Sequence, residues 1–200
     1  QHRAKPADLA CQRVASAAFA YRPLVSIVVP CYKTDRVYLR ELLDSVLAQS
    51  YDNWELLLMD ASPEWDAVAN LAAAANDERV RRIELPGNGG IVLNTNAGIQ
   101  QATGDYIAFL DHDDILEPDA LFQYVSALNK AAEGERPQGL FCDEDMFQKT
   151  GEWGQPVFKT KLNVDLLYSH NCVTHFLMVE KALIDRIGTS PEAVSYTHLR

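Results

Sequence analysis

Three carboxylates, Asp111, Asp113 and Asp114, fall within four positions in "YIAFLDHDDILEPDAL" (106–121), where an apolar run ends. Like charges packed this closely raise one another's pKa and cost stability unless a cation neutralises them. Carboxylate oxygens are hard ligands that suit Mg²⁺ or Mn²⁺. Such an ion can bridge a diphosphate and stabilise it as a leaving group. The competing reading is a solvated acidic turn. Further acids close other apolar runs. Asp60 ends "WELLLMD", and Asp143, Glu144 and Asp145 end "QGLFCDED".

Those runs are the elements that must position the acids. "LVSIVVP" (24–30) and "WELLLMD" (54–60) are short, apolar and suited to buried strands. "VRRIEL" (80–85), "DYIAFLD" (105–111) and "QGLFCDED" (138–145) read as three more. Between the first two, Val37, Leu39, Leu42, Leu43, Val46 and Leu47 recur at helical spacing. Helices are also predicted over 64–76, 91–102, 117–132 (with Pro118 in its first turn), 162–169 and 180–187, with a last strand near 172–179. Buried strands alternating with helices give an α/β fold with a mostly parallel sheet. In such sheets ligands bind beyond the carboxyl ends of the strands, where "PCYKTD", Asp60, "DHDD" and "DED" all lie.

Composition narrows the function. The chain has 200 residues, of which 48% are hydrophobic and 23% charged, enough for one domain with a real core. A net charge of −10 argues against a nucleic-acid-binding face. Cys11, Cys31, Cys142 and Cys172 form no C-x-x-C pair, so neither a zinc site nor a disulfide framework is indicated, and they read as core-like. No apolar stretch reaches the roughly 18 residues of a membrane span. "PCYKTD" has no glycine, which excludes the dinucleotide-binding loop after strand one, and no phosphate-binding G-x-x-x-x-G-K-[ST] occurs anywhere. A bound diphosphate must then be held in another way, and a carboxylate-held divalent cation is the obvious route.

Longer stretches carry a specific resemblance. "PLVSIVVPCYKTDRVYLRELLDSVLAQSYDNWELLLMDAS", "GNGGIVLNTNAGIQQATGDYIAFLDHDD", "CDED", "FKTKLNVDLLYSHNCVTHF" and "EKALIDRIG" resemble family 2 glycosyltransferases, which have the GT-A fold. The likeness covers about residues 23–188. It points to the bacterial branch that builds O-antigen, rhamnan and other surface polysaccharides. The resemblance implies one GT-A domain over 23–193. Residues 1–22 would be the end of an upstream region, and 194–200 ("VSYTHLR") a non-native tail.

The resemblance also implies roles by position. Pro30 and Tyr32 would lie at the nucleotide, Tyr32 against the base, unless it merely packs on the sheet edge. Asp60 would meet base or ribose, or else cap a helix; relatives often have two adjacent acids where this chain has "MDAS". Asn88, in an "NGG" turn whose glycines can supply positive φ, and Asn96 would lie near the nucleotide. Asp113 is the expected direct metal ligand, with Asp111 on the diphosphate or ribose side and Asp114 a further ligand or a helix cap. Asp143, Glu144 and Asp145 would face sugar and acceptor. His175 would touch metal or phosphate, or else be a hydrogen-bonded core residue; His112 and His170 read as local.

The implied reaction is metal-dependent, inverting transfer of a sugar from a nucleoside-diphosphate sugar, UDP- or dTDP-linked, to a saccharide or lipid-linked acceptor. The expected setting is cytoplasmic, at or near the inner face of the cytoplasmic membrane. Relatives place the general base after a Gly-Gly that follows "IG"; this chain reads "TSPEAVSYTHLR" there. That implies binding without efficient transfer. Two other classes stay open: a nucleotidyltransferase, although "PCYKTD" lacks its Gly-rich basic loop, and a non-catalytic nucleotide-binding module.

Overall fold

A computed structural model of the chain describes residues 4–146, 154–169, 171 and 173–189. In chain order its elements are α1 (Pro6–Ala17), β1 (Val25–Cys31), α2 (Arg36–Leu47), β2 (Trp54–Asp60), α3 (Ala67–Ala75), β3 (Val80–Glu84) and α4 (Gly90–Gln101). There follow β4 (Tyr106–Phe109), α5 (Ala120–Lys130), β5 (Gly139–Leu140), α6 (Val164–Ser169), β6 (Leu177–Glu180) and α7 (Lys181–Ile187). The six strands form one sheet in the order β3-β2-β1-β4-β6-β5.

The apolar runs become strands because both sheet faces are covered. Val25, Ile27, Val29 and Cys31 of β1 pack with Leu39, Leu42 and Val46 of α2 and Leu121 and Val125 of α5. Val28 points the other way, with Leu57, Met59, Ile107, Ile99 of α4 and Ile184 of α7. α4 crosses β1 closely at Gly98, where a Cβ would come within 2.3 Å of Val28 Cγ1. That contact sets the height of α4 above the sheet, and with it the position of the helix start.

The sheet is parallel only in part. β1 pairs in parallel with β2 and β4, and β2 with β3. β6 instead runs antiparallel between β4 and β5. The predicted strand over 138–145 shrinks to Gly139–Leu140, paired with β6, and further along Glu144 makes only an isolated bridge with Val157. The predicted strand near 172–179 starts late, at Leu177. The preceding His175 and Phe176 have φ of 60° and 41°, a left-handed turn no strand can contain. Pro118 lies outside α5, which starts at Ala120 with Asp119 as its N-cap. Cys31 is buried and Cys142 half-buried, but Cys11 is exposed on α1. Among the described residues no helix is long and apolar enough to cross a membrane. Cys172, His170 and residues 194–200 lie outside the described residues.

The N-terminal segment is fastened to the domain. Gln12 Nε2 donates to Asp119 Oδ2 (3.2 Å). Phe19 stacks on Phe122 at 5.5 Å. Asn129 accepts from Tyr21 N–H and donates to its carbonyl.

One buried polar knot ties β1, β2, β3 and the turn before β4. Glu55 accepts from Ser26 Oγ (2.6 Å), Thr103 N–H (2.7 Å), Thr103 Oγ1 (2.8 Å) and Arg81 Nη1 (3.0 Å). Burial raises the pKa of this carboxyl, but those four donors outweigh it and hold it below the usual range. A depressed folded-state value contributes stability above the unfolded value that is lost as pH falls through the folded one. Glu55→Ala strands Ser26 and Thr103 donors in the interior. It is expected to cost roughly 2–4 kcal/mol at pH 7, on the order of 5–15 °C in melting temperature. The gap from wild type should narrow in melts at acid pH.

Candidate active site

Strand order reverses on either side of the β1–β4 pair, so the chains leaving these strands diverge and open a crevice. A cleft of about 280 Å³ lies there. Pro30 and Tyr32 line it from the loop after β1, Asn88 and Asn94 from the turn and first residues of α4, and Asp111 and Asp113 from the loop after β4. Five residues expected at the site from sequence thus meet in one cleft.

Each wall is held by local chemistry. Lys33 takes a left-handed φ of 47°, and its N–H donates to Ser62 Oγ (2.9 Å). Trp65 Nε1 donates to the Thr34 carbonyl (3.0 Å). These bonds pin the loop, and Tyr32 stays 44% exposed, with Lys33 Nζ 5.4 Å from its ring centroid. Across the cleft, Gly90 adopts φ 83°, which glycine takes without strain. Asn88 Oδ1 accepts from Gly90 N–H (2.9 Å) and Asn94 Nδ2 (3.0 Å). Gly89 N–H donates to Asn94 Oδ1 (3.2 Å). The Asn88 oxygen is therefore spent, which leaves its NH₂ as the group to offer a ligand.

Beside the cleft, one ligand atom each from Asp111, Asp114 and His175 lie within 4.8 Å of one another. Burial, with Asp111, Asp113 and Glu144 adding to it and His175 opposing, pushes the Asp114 carboxyl up to about 6. Asp114 Oδ2 is buried with no hydrogen-bond partner. Two carboxylates and an imidazole, one oxygen of them orphaned, fit a divalent cation. Asp113, the expected direct ligand, is not in this group. Its carboxylate is exposed, 4.0 Å from His112 Nδ1, and lines the cleft. Asp114 caps no helix, since α5 starts six residues later.

His175 is not a core residue. Its Nδ1 bonds Glu144 Oε2 at 2.6 Å, and Lys159 Nζ pairs with the same carboxylate at 2.8 Å. Burial raises the Glu144 pKa, but Lys159 and His175 outweigh it and keep the carboxyl below its usual range. Burial lowers the His175 pKa, while Glu144, Asp114 and Asp111 outweigh it and raise it.

Other expected residues sit elsewhere. Asp60 is fully buried and caps no helix. Its Oδ2 accepts from Arg82 Nε (2.8 Å) and its Oδ1 from Ser62 N–H (3.1 Å). Asn96 is buried and does not line the cleft; Asn94 does. Two residues along a helix turn the side chain by about 200°. Asp143 accepts from Lys159 N–H (2.7 Å). Asp145 is half-buried and belongs neither to the cleft lining nor to the three-residue group. Sequence reading missed Asn94 and Lys159. The second "N" of the Asn88–Asn94 pair was a usable signal; nothing in "FKTKL" marked Lys159.

This architecture, an α/β sheet with an acid-lined crevice beyond its parallel strands, is the GT-A fold. The glycosyl transferase family 2 model matches residues 26–188, and the chain belongs to that family. It is 34% identical over 186 residues to the O-antigen biosynthesis protein RfbC of Myxococcus xanthus, covering 92% of this chain and 14% of that protein. It is 39% identical over 173 residues to the protein y4gI of Sinorhizobium fredii, covering 85% of this chain and 19% of that one. The chain thus spans under a fifth of these two relatives. S. aureus TarS (residues 1–349) superposes with a TM-score of 0.69 at 21% identity, over 86% of this chain and 52% of that one. The mannosyltransferase PcManGT of Pyrobaculum calidifontis, solved with GDP-Man and Mn²⁺, superposes at 0.62 and 18% identity, over 93% and 60%. At such identities the structural likeness speaks to the fold.

A carboxyl whose folded pKa is raised destabilises the ion-free protein as pH climbs from its ordinary 3.8 through about 6. In EDTA at pH 8, Asp114→Asn is therefore expected to melt higher than wild type. Mn²⁺ is expected to raise the melting temperature of wild type and not that of the variant. A lower melting point in EDTA would contradict the burial and crowding described above.

Proposed function

We propose that this domain transfers a sugar from a nucleoside-diphosphate sugar to a hydroxyl of a saccharide or lipid-linked acceptor in surface-polysaccharide synthesis, with inversion at the anomeric carbon. The observation that carries the reading is the juxtaposition of Asp111, Asp114 and His175 with the cleft of Tyr32 and Asn88. Family membership supports it, as do neighbours of the same fold: TarS has been solved with UDP and with UDP-GlcNAc, and PcManGT with GDP-Man and Mn²⁺.

The residues divide the work as follows. Tyr32 offers its face to the base. Asn88, its oxygen fixed by Gly90 and Asn94, offers N–H donors to a ligand oxygen. Asp60 acts through Arg82, since its own carboxylate is fully engaged. Asp111, Asp114 and His175 hold a divalent ion, with Asp113 facing the cleft beside them. When bound, that ion neutralises the diphosphate and stabilises it as it departs. Asp143 and Asp145 stand on the sugar and acceptor side. A carboxylate base must take the acceptor proton. The family places it in the stretch that here reads "TSPEAVSYTHLR". These 200 residues should therefore bind donor better than they turn it over. The setting fits the cytoplasmic side of the membrane on which lipid-linked acceptors are assembled.

Calorimetry with UDP, dTDP and GDP, each with and without Mn²⁺, tests the reading. The expected outcome is binding of at least one diphosphate that needs the ion and weakens at least tenfold in Asp114→Ala. Binding of a sugar phosphate together with a nucleoside triphosphate would instead indicate nucleotidyl transfer. Absence of all nucleotide binding would indicate a non-catalytic module. Turnover at rates typical of enzymes, on the order of 1–1000 s⁻¹, would overturn the expectation that the base is missing.

A further inference from the structure

Three segments brace the turn that carries His175. Glu144 sits in an isolated antiparallel bridge with Val157, closed by backbone bonds of 3.2 and 2.8 Å. Its Oε2 meets both His175 Nδ1 (2.6 Å) and Lys159 Nζ (2.8 Å). Lys159, with only 6% of its side chain exposed, also donates to the Thr174 carbonyl, next to His175 in the chain. From the other side, Tyr124 of α5 donates to the Phe176 carbonyl (2.8 Å) and packs edge-on against the Phe176 ring (5.3 Å). That holds two successive residues, His175 and Phe176, in the left-handed region. Strain in bulky residues persists only when the surroundings over-determine it, and it concentrates at functional sites.

The chemistry of the ring follows. A carboxylate only accepts, so Nδ1 carries the proton it gives Glu144. A metal ion must then be met by Nε2. Carboxylate–histidine–metal arrangements fix tautomer and ring orientation in this way. Imidazole nitrogen also discriminates between ions: Mg²⁺ prefers oxygen, whereas transition-metal ions accept nitrogen readily.

We propose that Glu144 is a positioning residue which, braced by Lys159, holds His175 towards Asp111 and Asp114. The inference rests on the metal site of the proposed function and goes beyond it by assigning Glu144 a role.

Calorimetric titration of the whole chain with MnCl₂ and with MgCl₂ tests it, on wild type, Glu144→Gln, Glu144→Ala, His175→Ala and the double variant Glu144→Gln/His175→Ala. Glu144→Ala should weaken Mn²⁺ about tenfold or more, Glu144→Gln less, because the amide oxygen still accepts from Nδ1. Mg²⁺ affinity should stay within about twofold in both. In the His175→Ala background, Glu144→Gln should change Mn²⁺ affinity less than about twofold, since coupled residues are not additive. The Mn²⁺/Mg²⁺ ratio separates positioning from damage to the fold, which would weaken both ions alike. An unchanged ratio in both Glu144 variants, equal losses for the two ions, or an additive double variant would overturn the inference while leaving a metal site in place. Failure of wild type to bind either ion would overturn the metal site as well.

Discussion

The carboxylates of Asp111 and Asp114 repel each other, and the fold holds them together. Burial removes the water that would screen Asp114, and one of its oxygens has no partner in the protein. A protein keeps such a pair only at a cost, which a divalent ion or a proton relieves. The site depends on that unrelieved charge. The neighbouring cleft supplies an aromatic face and amide donors, which suit a nucleotide but cannot neutralise a diphosphate.

The scaffold makes this crowding rigid. β1 and β4 are paired deep in the sheet, with apolar side chains on both faces, so the loops that leave them start from fixed points. β6 is the less obvious contributor. By running antiparallel beside β4 it delivers His175 to the end of the strand from which Asp111 and Asp114 depart. The left-handed turn at His175 and Phe176 is the structural consequence of that approach. Tyr124 and the Glu144–Lys159 pair hold the turn on either side.

The parallel half of the sheet was legible in the sequence because β1 and β2 are buried on both faces, which leaves unbroken apolar runs such as "LVSIVVP" and "WELLLMD". The antiparallel half was legible only in outline: strands were expected over 138–145 and near 172–179, but β5 and β6 are short, and their extent and direction depend on contacts distant in sequence. The site showed the same division. Tyr32, Asn88 and Asp111 could be placed because they follow strand ends or a glycine turn. Asp113 and Asp114 are adjacent, and only the direction of the chain after β4 decides which joins His175 and which faces the cleft. Asn94 and Asn96 differ by the rotation of one helix. The charge of buried Asp60 is met by Arg82, a residue on another strand.

The central claim is that Asp111, Asp114 and His175 together hold a divalent ion. An anomalous-difference map from a crystal of this chain grown with Mn²⁺ and UDP addresses it most directly. The expected result is one strong peak within about 2.0–2.4 Å of a ligand atom from each of the three residues, distances normal for such ions. A fully ordered site with no peak there, or an ion held elsewhere in the cleft, would contradict it.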